Sequence, residues 1–350
     1  MVIFCCAAAL VASAAAMRKP TQIRNFKGPA PSFFSRSYII SELARQGPPR
    51  AFRVHWRFKR RHPQMPKATV GILHPGEMGS SVGAAARAAG ARVVWASRDR
   101  SPASRTRASS YGLEDLGSLD RLVAAADFVI SICPPHAALE VARSVAVLRF
   151  PGVYIDANAI SPDKARSIAG LIENAGGTFV DGGIIGPPAA EPGATRLYLA
   201  GRQAARVAEL FHGSVLETVQ MQPRVGAASA LKMAYSSWTK GSAALLIALR
   251  AFAITEGIDA DLLAEWQRSI PDLPARSERT LSLNARKAWR FVGEMEEMAE
   301  TFQSAGLPTG FPFAAKEIYQ RLDCYKNLPA PPSFPEVARR IRASEPGGRE

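Results

Sequence analysis

Cysteine and histidine are both scarce in this chain: it has four cysteines and five histidines in 350 residues. Cys5 and Cys6 are adjacent, while Cys133 and Cys324 are far apart. That spacing makes neither a disulfide framework nor a metal knuckle, so a reducing compartment and no bound metal are expected. Long apolar runs are also missing. Val2–Met17 is too short for a membrane span and Ala243–Ile254 is broken by Arg250, whereas a span needs roughly 20 apolar residues. No membrane partner is expected.

Acidic residues are nearly absent from one stretch only. Residues 1–64 hold 12 lysines or arginines against one acid, Glu42, while the other 286 residues hold 32 bases and 29 acids. Of the net charge of +14, the leader therefore carries +11 and the rest of the chain only +3. A nucleic-acid groove needs its positive excess within the folded part, so no nucleic-acid partner is expected. The leader shows no sustained period of 2 or 3.6 and is read as a basic segment that is disordered or missing from the mature protein. Three origins stay open: a start assigned ahead of Met65, a targeting leader, or a functional basic arm. The expected location is cytoplasmic, or organellar or exported if the leader is a targeting segment.

From Ala68 onward the pattern is regular. A strand (Thr69–Leu73), a glycine-punctuated turn, an alanine-rich helix (Met78–Ala89), Gly90 and a second strand (Arg92–Ala96) make a βαβ unit. Strands at Phe128–Cys133, Val153–Asp156 and Thr178–Val180 follow, with helical stretches at Leu119–Ala126, Ala137–Val147 and Pro162–Ala175. Such alternation predicts an α/β fold with a doubly wound parallel sheet of the Rossmann type over residues 65–225. The first turn, His74-Pro75-Gly76-Glu77-Met78-Gly79, has the second and third glycines of a dinucleotide fingerprint, with His74 in place of the first. Ser97-Arg98-Asp99-Arg100 ends the second strand. A guanidinium there suits the extra phosphate of NADP and an acid suits the ribose of NAD, so NADP is expected, with NAD possible.

Residues 226–328 read as an all-α domain for substrate binding and dimerisation. Gly226–Glu256 has helical spacing, no proline, and Gly257 placed as a stop. Only Lys232, Lys240, Arg250 and Glu256 are charged along it. A rod with so little polar surface needs cover on both faces, so a homodimer is expected. Lys232, Ser236, Thr239 and Lys240 form one polar stripe on it. A lysine against apolar walls moves into the range where it exchanges protons; snorkelling at the rod's edge is the alternative. Further helices are expected at Asp259–Ile270, Arg276–Phe302 and Ala314–Tyr325. Glu294, Glu296, Glu297 and Glu300 read as a solvated face, and the tail at 329–350 as flexible.

Six blocks in order resemble the β-hydroxyacid and 6-phosphogluconate dehydrogenase superfamily, in its branch with a helical C-terminal domain of unassigned function. They are Gly76-Glu77-Met78-Gly79, Ser97-Arg98, Cys133-Pro134-Pro135, Asp156 to Pro162, the loop Asp181 to Gly186, and Leu231-Lys232-Met233. The resemblance spans residues 68–325. It implies hydride transfer between a nicotinamide and a hydroxyl or carbonyl carbon of a small molecule, with Lys232 catalytic and Ser236 orienting. His74 to Gly79, Ser97, Arg98 and Cys133 to Pro135 would hold the cofactor. Asn158, Gly182, Gly183, Ile184 and Lys240 would face the substrate; Asn158 and the two glycines also read as turn chemistry. The family's asparagine one turn after the lysine is Ser236 here, its loop serine falls on Ile185, and a later cofactor lysine falls near Glu294. Polar substrate contacts are lost, which leaves an imine reductase on the same scaffold, or a cofactor-binding sensor without turnover, as alternatives.

Overall fold

The computed structural model describes residues 68–326 and 328–342. The leader therefore lies outside the described residues. The chain runs β1 (Thr69–Ile72), α1 (Glu77–Ala88), β2 (Arg92–Trp95), α2 (Pro102–Ser110), β3 (Glu114–Asp115), α3 (Leu119–Ala125), β4 (Phe128–Ser131), α4 (Ala138–Val147), β5 (Val153–Asp156), α5 (Pro162–Asn174), β6 (Thr178–Ile185), β7 (Thr195–Ala200), α6 (Ala204–Glu209) and β8 (Leu216–Gln220). The eight strands form one sheet in the order β3-β2-β1-β4-β5-β6-β7-β8. Every pairing is parallel except β6 with β7. From β1 the chain winds outward in one direction, then restarts at β4 in the other. The carboxyl ends of β1 and β4 thus border the crevice where such sheets bind ligands.

Strand alternation divides the core. Val70, Ile72, Ile130 and Ile155 pack with Val82 of α1 and Val207 of α6. Val94, Val129, Tyr154 and Phe179 pack with Leu122, Val145 and Ile168 of the other helices. Both faces of the central strands are buried, as a parallel sheet requires.

A sequence-based reading that ends β6 at Val180 falls short. The strand continues through Gly182-Gly183 to Ile185 because β7 pairs with it, Gly182 opposite Leu199 and Gly183 opposite Tyr198. The expected loop from Asp181 therefore begins only at Gly186, whose φ of 126° is left-handed.

Helix α7 spans Ala227–Thr255, close to the expected limits, and α8 (Asp259–Ser269) follows Gly257. The expected Arg276–Phe302 helix is two, α9 (Leu273–Asn284) and α10 (Ala288–Ser304), separated by one 3-10 turn; α11 (Gly310–Arg321) and α12 (Phe334–Arg342) complete the unit. Arg250, the one charge deep in α7, is 3% exposed. Its guanidinium is satisfied by Asp259 at 2.6 and 3.0 Å and by Ser277 at 2.8 Å, and it lies 4.2 Å from the Phe334 ring centroid. The tail expected to be flexible thus contains α12, which buries Phe334, Val337 and Ala338 against the helical core. Their spacing, i, i+3, i+4, gives the short helix one apolar stripe, enough to dock it.

Candidate active site

The βα turn after β1 is built for an anion. Gly79 is obligatory, since a Cβ there would stand 2.2 Å from the His74 carbonyl oxygen; at Gly76 a Cβ would meet nothing within 4 Å, so the backbone is open. No side chain caps α1, which leaves the amides of its first turn free for a pyrophosphate. Beside the turn lies a cavity of about 600 Å³ lined by His74, Arg98, Asp99, Arg100 and residues of α4. Asp99 takes a left-handed φ of 60° just beyond β2, and the reversal points Arg98 and Arg100 into that one cavity. Ser97 is buried, its N–H donating to Asp115 at 3.2 Å. His74 is neutral, held down to about 4 by burial and by the Arg100 charge. Cys133 is a thiol, pushed up to about 12 chiefly by burial. Pro134 and Pro135 follow it into a 3-10 turn containing His136. All the residues expected to hold cofactor therefore converge at the carboxyl ends of β1, β2 and β4. Glu77 also pairs with Arg290 of α10 at 3.3 Å.

The other half of the site centres on α7. Its N-cap residue Gly226 has φ 89° and offers no side chain. The cap comes instead from Asp181 of β6, which accepts from Ala228 N–H at 2.8 Å, Ser229 N–H at 3.2 Å and Ser229 Oγ at 2.6 Å. One turn on, Lys232 Nζ donates to the Ile184 carbonyl at 2.8 Å. Burial lowers the Lys232 ammonium to about 8, with Glu294 opposing and Lys240 assisting the shift. Lys232 is thus lowered well below the ordinary lysine range yet still carries its proton at neutral pH.

Several expected substrate contacts are not available. Asn158 is 2% exposed and spends its whole amide on the protein. Its Oδ1 accepts from Cys133 N–H at 2.5 Å, and its Nδ2 donates to Ser131 Oγ at 3.1 Å and Asp156 at 2.9 Å. Gly182 and Gly183 are buried within β6. A Cβ on Gly182 would stand 2.8 Å from the Asp156 oxygen at the end of β5, and one on Gly183 2.7 Å from the Ala228 oxygen, so Gly182 serves close packing against β5 and Gly183 close packing against α7. Ser236 is fully buried and accepts from Lys240 Nζ at 3.5 Å, which directs its hydroxyl to Lys240. Lys240 in turn lies 3.1 Å from Glu294 and 5.3 Å over the Phe291 ring. Ile184 and Ile185 form an apolar wall, and the following loop is tied to α1 where Ala189 N–H donates to Ser81 at 3.0 Å.

The acidic run of α10 is a solvated face only in part: Glu296 and Glu300 are exposed, whereas Glu294 and Glu297 turn inward. Glu297, 3% exposed, accepts from Ser161 N–H at 2.8 Å and pairs with Lys164, joining α10 to the start of α5. A spacing of three between Glu294 and Glu297 was the only sequence signal that both lie on one inward face. Among the described residues no group of acids, histidines and cysteines could hold a metal, and no helix is long and apolar enough to cross a membrane.

Comparison with known proteins agrees with this geometry. Residues 42–141 match the NAD-binding domain of D-isomer-specific 2-hydroxyacid dehydrogenases, and residues 253–322 match a domain of unknown function, DUF1932. A conserved hypothetical protein from Sinorhizobium meliloti 1021 is 31% identical, covering 79% of this chain and 98% of its own, with a TM-score of 0.60. The conserved protein MTH1747, whose structure is similar to 3-hydroxyacid dehydrogenases, is 30% identical over 74% of this chain and 98% of its own, with a TM-score of 0.57. An uncharacterised 28.5 kDa protein of Methanothermus fervidus, from the 7S RNA 5′ region, is 31% identical over 168 residues; the chain spans 63% of that relative's length.

Burial of Asp156 yields a pH prediction. Desolvation raises its carboxyl from 3.8 to about 7, against the hydrogen bonds from Asn158 and with Asp181 and Glu297 adding to the rise. Between about pH 4 and 7 the fold holds a proton that the unfolded chain has released, so this group's stabilisation is full below pH 4 and lost as pH rises to 7. His74 acts with the opposite sign over about pH 4 to 6.5, so the readout is a difference between proteins. In denaturant unfolding, Asp156→Asn should remove a falling slope approaching ~1.4 kcal/mol per pH unit in that window. Identical slopes in both proteins would mean that Asp156 is ionised in the fold.

Proposed function

From the premise that this chain belongs to the β-hydroxyacid and 6-phosphogluconate dehydrogenase-like family, in the branch with a helical C-terminal domain of unassigned function, we propose an NADP-dependent oxidoreductase with Lys232 as its proton carrier. The observation that carries the reading is Lys232 itself: a buried lysine held at a strand end, with its ammonium near 8, on the cofactor side of the sheet. The nicotinamide supplies or accepts the hydride. Lys232 would protonate the oxygen or nitrogen of the reduced centre, and in the oxidative direction would accept the hydroxyl proton. Gly76 and the first turn of α1 would hold the pyrophosphate, and Arg98 the 2′-phosphate.

The substrate is a small molecule with a carbonyl or hydroxyl carbon. Because Asn158 is fully engaged and Gly182 and Gly183 are packed against neighbours, the pocket favours substrates whose recognition does not depend on a carboxylate. The same observation keeps imines as a second substrate class. The test is a panel of hydroxyacids, keto acids, aldehydes and imines followed by NADPH absorbance. Lys232→Ala should lower kcat by roughly 10²-fold or more with the NADPH Kd changed by less than about threefold. Reduction should weaken above about pH 8 as the ammonium is lost, and oxidation should gain up to that pH. Near-normal turnover in the variant would move the proton to another donor, His136 first. Tight NADPH binding with no substrate in the panel would favour a sensor.

Cofactor choice is separable. Arg98→Ala should weaken NADPH binding by about 1–3 kcal/mol and leave NADH nearly unchanged, as titrations of cofactor fluorescence would show. Equal weakening of both would remove Arg98 from the 2′-phosphate.

The active form is a homodimer built on α7. Tyr235, Trp238, Leu245, Leu249 and Phe252 are exposed along it and, with Ser242, recur at spacings of three and four. That is the period of a helix pair's seam; the one charge on it comes from α9, where Arg276 lies 5.8 Å over the Trp238 ring and 3.5 Å from Ser242. A second copy presents the same stripe, so a twofold contact is self-complementary. Light scattering should give a dimer for the native chain and a monomer for Leu245→Arg; a native monomer would refute this assembly.

A further inference from the structure

Glu294 is a carboxylate with no counterpart in the expected chemistry, and its surroundings are unusually specific. It projects from α10 toward α7, one helical turn from the buried Glu297. Its Oε2 is buried and lies 3.1 Å from Lys240 Nζ, near enough for an ion pair though not aligned as a hydrogen bond. Both side chains are 16% exposed. Three further contacts fix Lys240: Ser236 Oγ at 3.5 Å, the Phe291 ring at 5.3 Å, and its own carbonyl accepting from Tyr319 Oη at 2.7 Å. The reach to Ser236, one turn earlier on α7, shows that the Lys240 side chain leans toward the helix start and hence toward Lys232.

The charges that act on Lys232 are therefore few. Glu294 comes from α10, Lys240 from its own helix, and β6 contributes the neutral Ile184 carbonyl. Tyr319 of α11 stays a neutral phenol, raised chiefly by burial. In a site this buried the interactions are weakly screened. The two members act on Lys232 with opposite sign, Glu294 holding its proton on and Lys240 pushing it off.

We propose that Glu294 is a positioning residue of this site, acting through Lys240 to cancel the second positive charge that would otherwise face Lys232. Its role is assigned through its contact with Lys240. By holding Lys240 as half of a neutral pair, it lets Lys232 keep its proton at neutral pH despite its burial. The same pairing withdraws Lys240 from substrate recognition, so that of the two lysines on this stripe only Lys232, held by a neutral carbonyl, keeps an unpaired charge.

The proposal rests on Lys232 as proton carrier, but its test needs no turnover. The full-length protein is labelled with ¹³C-lysine, and the Cε resonance assigned by its loss in Lys232→Arg is titrated with pH. Glu294→Gln leaves Lys240 uncompensated and should move the Lys232 midpoint downward by about one pH unit, whereas Lys240→Met leaves Glu294 uncompensated and should move it upward by about as much. The double variant Glu294→Gln with Lys240→Met should return close to the native midpoint. Because it removes both buried charges at once, it also serves where a single variant folds poorly. An unmoved midpoint, or shifts of the same sign in both single variants, would overturn the proposal and leave the pair a packing feature. Those outcomes are distinct from failure of the catalytic reading, which would appear as undiminished turnover in Lys232→Ala with the titration shifts intact.

Discussion

The buried carboxylate of Asp181 is the constraint on which the rest of the site depends. A 29-residue helix begins at Gly226 with no capping side chain of its own, and its first amides would be orphaned in a buried setting. Asp181 satisfies them from the end of β6, and the helix dipole favours a negative charge at that point. Burial raises this carboxyl above its ordinary range even so, since desolvation outweighs the hydrogen bonds. Fixing the start of α7 on the strand forces a close approach, which Gly183 permits. It also fixes the helix phase, so that Lys232, one turn on, falls opposite Ile184.

Helix α10 completes what Asp181 begins. It reaches its neighbours at three places: Arg290 to Glu77 at the start of α1, Glu297 to Ser161 at the start of α5, and Glu294 to Lys240 on α7. The exposed pair contributes little, while the buried ones cannot be halved without leaving a charge stranded. Position is therefore secured by the two inner contacts.

Much of this was legible in the sequence where local rules decide. The first βαβ unit and α7 come out within a few residues, because apolar periodicity and glycine stops act over short distances. Gly182-Gly183 misleads, since paired glycines imply a turn, yet the strand persists because β7, invisible to local pattern, pairs with it. Asn158 misleads in the same way: an exposed amide and one spent on Ser131, Asp156 and Cys133 have identical sequence. The acids of α10 read as solvated because charge usually is, and only the packed structure shows that two of them face inward. The tail fails for a simpler reason, as its proline-rich approach masks the apolar stripe of Phe334, Val337 and Ala338.

Under the proposed function, discrimination at Lys232 would come from what has already been spent. Asn158 is engaged, Gly182 and Gly183 are closed by packing, and Lys240 is neutralised by Glu294, so a carboxylate entering here would give up its water shell for a single ammonium. That exchange is unfavourable for a buried charge unless several donors meet it. A neutral carbonyl or imine loses less on entry and gains most when negative charge develops beside Lys232 during reduction. Interaction that strengthens only as the reaction proceeds is the kind that raises a rate rather than an affinity. The same economy explains why Lys232 must sit near 8 rather than at its ordinary value: a lysine fully solvated and firmly protonated would gain little from the proton it is asked to give away.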